Sequence, residues 1–526
     1  MAENTSYQAQ AQTLASKLWS IANDLRGNMD ASKFKNYILG TIFYRYLSER
    51  TEQCMQEVLE IDKQTYEEAF NSSPQRRAEV QDWSLQELGY IIEPQYLFRT
   101  LVQKIEKPHS AADKFSIEDL ENAIKALTES THGQESESAF EGLFNDLRLQ
   151  DPELGDTVAE RTALMGKIIS QISELEFDLT DSKLDILGTA YMLLIGLFAS
   201  DAGKKSGEFF TPTGPAQLVA TLATEGLSEA KAVGDCTCGS ASMLLEVQKH
   251  LSAHKVGHFY GQEKNASTYN LARMNMLMHG VGYQEFSIYK GDTITQDLYG
   301  DHKLTVQVCN PPYSLKYDPE VPGLKDDPRY RDFGKLPPKG QADLAFVEHM
   351  IWHMDEKDGR IAVLLPHGVL FRGGAEATIR QHIVQKLNYL DAVIGLAPNL
   401  FHGTSISVCL LVLKANRGTN RDNILFIDAS QEFVKAGNKN ALEQAHINKI
   451  VDTYTKRIDI DKFARVVSMD EIKDNDYNLN IPRYIGKTEA EETIDLEAVR
   501  KELSDIAANK QSAVTKVESM LAQLGL

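Results

Sequence analysis

The stretch "KAVGDCTCGSAS" at residues 231–242 decides how this chain folds. A short β-rich run ends at Asp235, and a tight turn is predicted at Gly239. Three small residues then open a helix-length segment: Ser240, Ala241 and Ser242. Small residues let a ligand approach the backbone, and the free N–H groups and dipole of a helix N-terminus stabilise a carboxylate. The stretch therefore predicts a strand, a glycine turn and a helix beside a ligand.

The same rhythm continues after about residue 205, where short β-rich runs alternate with helix-length segments. The runs are KAVGDC, VGHFYGQE, FSIYKGD, TVQVCN, RIAVLLP, LDAVIGL, SVCLLVLK and NILFID. This alternation is typical of a doubly wound α/β sheet. Ligands of such sheets bind beyond the carboxyl ends of the strands, so we expect the chemistry where these runs end.

A chain of 526 residues is too long for one core, and we predict three parts. Residues 1–170 form an all-α domain, in which a buried stripe recurs every four residues at Phe34, Ile38, Ile42 and Tyr46. Residues 171–480 form the α/β domain. The polar stretches 71–77 and 129–138 are predicted to be surface loops between helices.

Residues 481–526 are predicted to form a helical tail for partner contact. From Leu496 to Leu524, apolar residues follow alternating steps of three and four, and only Lys510 interrupts this heptad seam. A lone helix cannot bury such a seam. Packing against the chain's own domain and pairing with a partner's helix both remain open.

Composition indicates a soluble, cytoplasmic protein that does not enter a membrane. The first residues lack a basic segment followed by an apolar core, and the apolar stretch 187–199 is shorter than the roughly 20 residues that span a bilayer. Five cysteines without CxxC spacing indicate reduced thiols. The net charge of −20 repels nucleic-acid phosphates, so any nucleic-acid substrate must be bound largely by other means.

Acidic residues end three consecutive predicted strands: Asp235, Glu263 and Asp292. Glu263 follows Asp235 at an offset near the roughly 20 residues at which an acid binds ribose hydroxyls in such sheets. Asp292 could accept a hydrogen bond from an adenine amine. Neither G-x-G-x-x-G nor the phosphate-binding loop G-x-x-x-x-G-K-[ST] occurs. The three acids therefore describe a pocket for an adenosine with a carboxylate-bearing substituent and no phosphates, and S-adenosyl-L-methionine is such a ligand.

The fourth predicted strand is followed by Asn310, Pro311, Pro312 and Tyr313. Two prolines end a strand and hold the neighbouring carbonyl groups in fixed directions. A methyl acceptor whose nitrogen lone pair is delocalised must be held by hydrogen-bond acceptors, and the Asn310 oxygen and the Pro311 carbonyl are two of these. The Tyr313 ring offers a face on which a flat substrate can stack. These four residues are the predicted catalytic set.

Together with "GEFFTP" (207–212), these motifs look like those of the amino-methyltransferases that modify adenine N6 in DNA. More narrowly, the chain resembles the modification subunit of type I restriction-modification systems over nearly its full length, including segments 18–48, 203–212, 342–350, 359–374 and 396–414. The resemblance implies contacts to S-adenosylmethionine from Ser240 to Ser242, from Glu263 and from the upstream motif: Glu208, Phe209, Phe210, Thr211, Pro212 and Thr213. It also implies that Asn310 to Tyr313 hold a flipped adenine.

The resemblance further implies partners. A specificity subunit that reads the DNA sequence joins two modification subunits, and a restriction subunit completes the complex. This division of labour removes the difficulty of an acidic chain that acts on DNA.

The glycine motif departs from the family pattern at three positions. Cys236 replaces proline, Thr237 replaces alanine and Ser242 replaces glycine, and the larger side chains could crowd the methionine end of the cofactor. The altered motif leaves open a non-catalytic assembly protein that keeps the fold. Methylation of another planar nitrogen, such as a glutamine amide or an RNA base, also stays open, because Asn-Pro-Pro-Tyr serves any of these acceptors.

The 27 residues at 314–340 are too long for an ordinary connection. We interpret them as a mobile segment that closes over the base, with Tyr330 or Phe333 as a second stacking face, or else as an exposed loop.

His349 and His353 lie four apart but lack the glutamate of H-E-x-x-H, so they are read as ordinary helix positions and no metal site is predicted.

Overall fold

The structure is a computed structural model that describes residues 2–25, 27, 29–177, 181–201, 210–251, 255–401, 404–486, 506 and 510. Within these ranges the first part of the chain forms nine α-helices: α1 (Ala2–Leu25), α2 (Ala31–Leu59), α3 (Tyr66–Ser72), α4 (Pro74–Leu88), α5 (Phe98–Glu106), α6 (Ile117–Ser130), α7 (Glu137–Phe140), α8 (Val158–Ser173) and α9 (Asp181–Asp201). The all-α character predicted for the first part of the chain is confirmed.

Helix α2 buries the stripe that the four-residue spacing predicts. Phe34, Ile38 and Ile42 have no exposed surface, and Tyr46 is buried beside them. The predicted loop at 71–77 is wrong, because α3 continues to Ser72 and α4 begins at Pro74. The Ser73 hydroxyl between them accepts the Arg76 N–H, which starts a new helix where the polar composition indicates a loop.

The apolar stretch at 187–199 is a buried helix, as predicted. It lies in α9, which packs against α1 and α2, and its large side chains Tyr191, Leu194 and Phe198 are buried. Among the described residues, no helix has the length and apolar character needed to cross a membrane.

Eleven strands follow in the described part of the chain: β1 (Ala230–Asp235), β2 (Val256–Glu263), β3 (Phe286–Lys290), β4 (Val306–Cys309), β5 (Arg360–Pro366), β6 (Leu390–Leu396), β7 (Val408–Lys414), β8 (Asn423–Ala429), β9 (Val434–Ala436), β10 (Lys439–Ala441) and β11 (Ala464–Ser468). Nine of them form one sheet in the order β11-β8-β6-β7-β5-β4-β1-β2-β3, and β9 and β10 form a separate hairpin.

Helix α10 (Thr213–Thr224) leads into β1, and α17 (Met469–Asp474) follows β11. The α-helices between the strands are α11 (Ser242–Leu251), α12 (Ala266–Met278), α13 (Pro328–Arg331), α14 (Asp343–His353), α15 (Ala375–Gln381) and α16 (Gln444–Lys456). Strands β1 to β5 are parallel to their neighbours in the order β3-β2-β1-β4-β5, as the predicted doubly wound sheet requires. Strand β7 runs antiparallel to both β5 and β6, and β11 runs antiparallel to β8. These reversals were not predicted.

The chain order of the strands reverses between β1 and β4. From β1 the chain continues to β2 and β3 on one side, and it then returns to place β4 on the other side of β1. A crevice outside the carboxyl ends of the strands forms at such a switch point.

The domain boundaries at residues 170 and 480 stay predictions. The tail seam lies outside the described residues except for 506 and 510, which are helical.

Candidate active site

The carboxyl ends of β1 and β4 lie side by side and bring two distant motifs together. Val233 pairs with Val306 and Gly234 with Gln307. Two residues further along each strand, the Cys236 and Cys309 sulfur atoms lie 3.6 Å apart and buried. The glycine turn therefore begins directly beside Asn310.

The turn after β1 has the conformation that its small residues permit. Gly239 and Ala241 both have positive φ angles, +56° and +63°, and the Ala241 N–H donates to the Cys238 carbonyl oxygen over 2.7 Å. Ser242 is the first residue of α11 and has an ordinary φ, so the backbone does not require the glycine that the family pattern has there. The buried Ser240 hydroxyl has no hydrogen-bond partner among the described residues.

Glu263 joins the glycine turn to the loop after β2. Its Oε2 accepts the Gly239 N–H over 3.1 Å, and its Oε1 accepts the Asn265 N–H over 2.7 Å. A carboxylate offers about four lone-pair positions, so it can accept several hydrogen bonds at once. Sequence analysis predicted the ligand contact but did not predict that Glu263 holds the turn.

Asp235 is buried at the base of the site. Its Oδ1 accepts the Thr237 N–H over 3.0 Å. Burial raises the pKa of the Asp235 carboxyl from its ordinary value to about 7, and the bond from Thr237 opposes the rise. A carboxyl whose pKa lies near neutrality can change its charge when a charged ligand binds beside it.

Asp292 lies two residues beyond β3, at the same edge of the sheet. Its Oδ1 accepts the Ile294 N–H over 3.1 Å, and its Oδ2 lies 2.8 Å from the exposed Lys264 ammonium group. The carboxylate therefore already has two partners. A ligand amine would share the group with them.

The Asn310 side chain is held from both ends. Its Nδ2 donates to the Thr211 hydroxyl oxygen over 3.0 Å, and its Oδ1 accepts the Tyr313 hydroxyl over 2.6 Å. Thr211 is buried and precedes α10, whereas Asn310 is half-buried. The upstream motif thus contacts the predicted catalytic turn directly.

The other described residues of the upstream motif line the same region. Phe210 is buried, and a Cβ placed on Gly196 of α9 would lie 3.0 Å from its ring. Pro212 is the N-cap residue of α10, and Thr213 begins that helix. Glu208 and Phe209 lie outside the described residues.

The turn after Tyr313 is fixed by a buried acid. The Ser314 N–H donates to Asp343 Oδ1 over 2.7 Å, and Ser314 has a φ of +51°. Arg372, on the loop after β5, lies 3.7 Å from Asp343 Oδ2. Burial raises the pKa of Asp343, and the Ser314 N–H and the Arg372 guanidinium oppose the rise. The sequence motif "ADLAFVEHM" contains this acid, but sequence analysis did not predict its contact with the turn.

The loop after β6 provides a second support for Tyr313. The buried Phe401 ring packs edge-on against the Tyr313 ring at 6.1 Å between centroids. Lys439 on the hairpin holds that loop, because its ammonium group donates to Asn399 Oδ1, the Phe401 carbonyl and the Thr404 carbonyl over 2.8–3.0 Å. Nothing local in the sequence indicates these contacts.

The interpretation of Tyr330 and Phe333 as free stacking faces is wrong. Tyr330 is 1% exposed, and its hydroxyl donates to the Ile294 carbonyl over 2.9 Å. The buried Phe333 ring packs against His382 at 4.6 Å. These rings anchor segment 314–340 to the domain, although most of its residues are exposed as the alternative reading expects.

The two histidines of α14 are not ordinary helix positions. Both are fully buried, and with Asp297 they bring three possible ligand atoms within 4.8 Å of one another. His353 Nε2 lies 3.0 Å from Asp297 Oδ1, and its bond lowers the pKa of Asp297 against the effect of burial. The Arg329 guanidinium donates to His349 Nδ1 over 3.0 Å, however, and a cation beside it would be repelled. The cluster therefore has the character of a buried hydrogen-bond network.

Comparison with known proteins defines the class first. The family model described as N-6 DNA Methylase matches residues 182–493, and the HsdM N-terminal domain matches residues 14–172. The fold is that of the S-adenosylmethionine-dependent methyltransferases, with an all-α domain before it.

Individual relatives narrow the class to one family. The chain is 34% identical over 522 residues to the type I restriction enzyme MpnII methylase subunit of Mycoplasma pneumoniae, covering 97% of this chain and 95% of that protein. It is 37% identical to the crystal structure of a type I restriction-modification methyltransferase subunit from Streptococcus thermophilus, with a TM-score of 0.82 over 90% of this chain and 99% of that one. A modification subunit from Vibrio vulnificus shares the fold at 18% identity, with a TM-score of 0.58 over 92% of this chain and 99% of that one. The chain belongs to the family of type I restriction enzyme methylase subunits.

Proposed function

We propose that this chain transfers a methyl group from S-adenosyl-L-methionine to N6 of an adenine flipped out of DNA, as the modification subunit of a type I complex. The observation that carries the proposal is the meeting of two motifs at the switch point. The glycine turn after β1 and the Asn310 turn after β4 lie side by side, so a cofactor on one and a base on the other would be neighbours.

The residues around the glycine turn fit S-adenosylmethionine. The first N–H groups of α11 have no acceptor within the helix and favour a carboxylate. Glu263 and Asp292 can accept bonds from ribose hydroxyls and an adenine amine. The orphaned Ser240 hydroxyl is a buried polar group that a ligand could satisfy. These contacts, and those of Glu208 to Thr213, are part of the proposal.

Bound S-adenosylmethionine supplies an electrophilic methyl group. The chain's own task is to prepare the acceptor nitrogen, whose lone pair is delocalised into the adenine ring. The Asn310 Oδ1 and the Pro311 carbonyl accept the two N6 hydrogens and hold the amine so that its lone pair is available. The Tyr313 ring stacks on the flipped base.

The partners follow from the family and from charge. A chain with net charge −20 does not attract duplex DNA by itself, so we propose that a specificity subunit, shared by two copies of this chain, holds the DNA, with a restriction subunit in the full complex. Ile506, a seam residue of the tail, is 58% exposed, which supports pairing of the tail with a partner helix.

The test is transfer of tritiated methyl groups to DNA from a strain that lacks this system, with N6-methyladenine identified after digestion. We expect the complex with the specificity subunit to methylate adenine, and Asn310→Ala to lower turnover by roughly 100-fold or more while calorimetry shows unchanged cofactor binding. A wild-type chain that binds no S-adenosylmethionine would be an assembly protein. Label that enters RNA or protein and not DNA would establish the other methyl acceptor.

A further inference from the structure

The hydrogen bond between Thr211 and Asn310 joins residues 99 positions apart and connects the cofactor-side motif to the acceptor-side turn. The resemblance gives Thr211 a role toward S-adenosylmethionine. In the structure its hydroxyl oxygen instead lies 3.0 Å from Asn310 Nδ2. Thr211 is 7% exposed and Asn310 is half-buried, so this contact is partly shielded from solvent.

An asparagine side chain can present either its oxygen or its NH2 group in a given direction. If the amide turned over, Nδ2 would take the place of Oδ1. The Asn310 NH2 group would then face the amine of the target base, and both groups are donors. The orientation of the Asn310 amide is therefore essential for its proposed role. The Thr211 hydroxyl accepts from Nδ2 and the Tyr313 hydroxyl donates to Oδ1. Because a hydroxyl can donate or accept, these contacts do not select the orientation by themselves, but they hold the amide at both ends in the orientation observed.

The two contacts differ once a substrate arrives. The Tyr313 hydroxyl occupies Oδ1, which is the atom that the amine needs, so an entering base competes with Tyr313 or shares Oδ1 with it. The Thr211 contact lies on the opposite end of the amide and does not compete. Its β-branched side chain has few rotamers, and the following Pro212 restricts the backbone of Thr211 itself.

We propose that Thr211 is a positioning residue, which anchors the Nδ2 end of the Asn310 amide and so holds that side chain in place at the acceptor nitrogen throughout methyl transfer. This inference rests on the proposed function of Asn310. It also makes the upstream motif part of the acceptor site, because loss of Thr211 would disturb the reacting amine even with the cofactor fully bound.

The experiment compares Thr211→Val, which keeps the shape and removes the hydroxyl, with Thr211→Ser, which keeps the hydroxyl. Thr221→Val is the matched control, because the Thr221 hydroxyl donates to the Gln217 carbonyl over 2.8 Å within α10. Each variant is assayed in the complex with the specificity subunit at saturating S-adenosylmethionine, and its cofactor dissociation constant is measured by calorimetry.

We expect Thr211→Val to lower kcat at saturating cofactor by roughly 10- to 100-fold, an effect larger than any change in the cofactor dissociation constant. Thr211→Ser should recover most of kcat, and Thr221→Val should match the wild type. In a crystal structure of Thr211→Val, the Asn310 amide should have turned or lost its fixed position.

Two results would overturn the inference. If Thr211→Val weakens cofactor binding but reaches wild-type kcat at saturation, Thr211 is a cofactor contact only. If its kcat and its Asn310 geometry are both unchanged, the hydrogen bond has no role. An inactive wild-type complex would instead contradict the proposed function, and the crystal structure of the variant would still test the hydrogen bond.

Discussion

The Tyr313 hydroxyl donates to Asn310 Oδ1 over 2.6 Å and so occupies the atom proposed to accept a hydrogen from adenine N6. The aromatic residue of the motif therefore has two separable parts. Its ring packs against Phe401 and can stack on a base, whereas its hydroxyl fixes Asn310 while the site is free of substrate.

Tyr313→Phe and Tyr313→Ala separate these two parts. Phenylalanine keeps the ring and frees Oδ1, so methyl transfer should stay within about five-fold of the wild type. Alanine removes the stacking surface, which is worth roughly 1–3 kcal/mol per base, so kcat/KM for DNA should fall by roughly 10- to 100-fold. Steady-state methylation kinetics measure both values. Equal losses in the two variants would show that the hydroxyl, and not the ring, carries the function.

Glu263→Ala should weaken S-adenosylmethionine binding by roughly 1.5–3 kcal/mol, the scale of hydrogen bonds to a charged group. The loss has two sources, because Glu263 can accept a ligand hydroxyl and also holds the Gly239 turn. Calorimetry on the purified chain measures it. Glu285→Ala is the matched control. Glu285 accepts the Gly282 N–H in a turn just before β3, at the edge of the sheet opposite to the one where β2 ends at Glu263. An unchanged dissociation constant in Glu263→Ala would exclude Glu263 from the pocket.

The buried Asp235 makes folding stability depend on pH. Its pKa is raised by burial to about 7 in the folded chain, against an ordinary value of 3.8. The folded chain therefore binds the proton more tightly than the unfolded chain. The contribution of the protonated Asp235 to stability is complete below about pH 4 and is lost as the pH rises to about 7. Asp235→Asn keeps an oxygen acceptor for Thr237 and cannot ionise.

The free energy of unfolding of Asp235→Asn should therefore increase relative to the wild type between about pH 4 and 7 and stay constant relative to it above pH 7. Urea unfolding at a series of pH values measures this difference. A difference that is flat across this range would show that Asp235 does not titrate differently in the folded and unfolded chains.

The tail gives a prediction about assembly. Changing Leu503 and Ile506 to Asp places two charges in the heptad seam, at a cost of several kcal/mol if the seam is buried against a partner. The variant chain should fold and bind S-adenosylmethionine alone, but it should not co-purify with the specificity subunit or methylate DNA. Normal assembly would show that the tail is not an interface. Insolubility with loss of the far-UV signal would assign the seam to the chain's own core.

Sequence analysis predicted the strand ends well because strand, turn and helix patterns are local. It predicted that β1 ends at Asp235 and that small residues open α11, and it predicted that the Asn310 turn follows a β-branched strand. It failed for Tyr330 and Phe333, because aromatic residues in a long connection have the same local pattern whether they are exposed or buried. Their burial depends on Ile294 and His382, which lie elsewhere in the chain.

The residues of the chain by themselves determined the class of sheet, the three acids and the Asn310 turn, because hydrophobic alternation and turn chemistry are properties of neighbouring residues. Only the tertiary structure decided what holds Asn310 in place. Thr211 reaches its amide from 99 residues away, Asp343 fixes the turn after Tyr313, and Lys439 supports the loop of Phe401. Such contacts form where strands distant in sequence pair at a switch point, and hydrogen bonds between them depend on positions that no local pattern encodes.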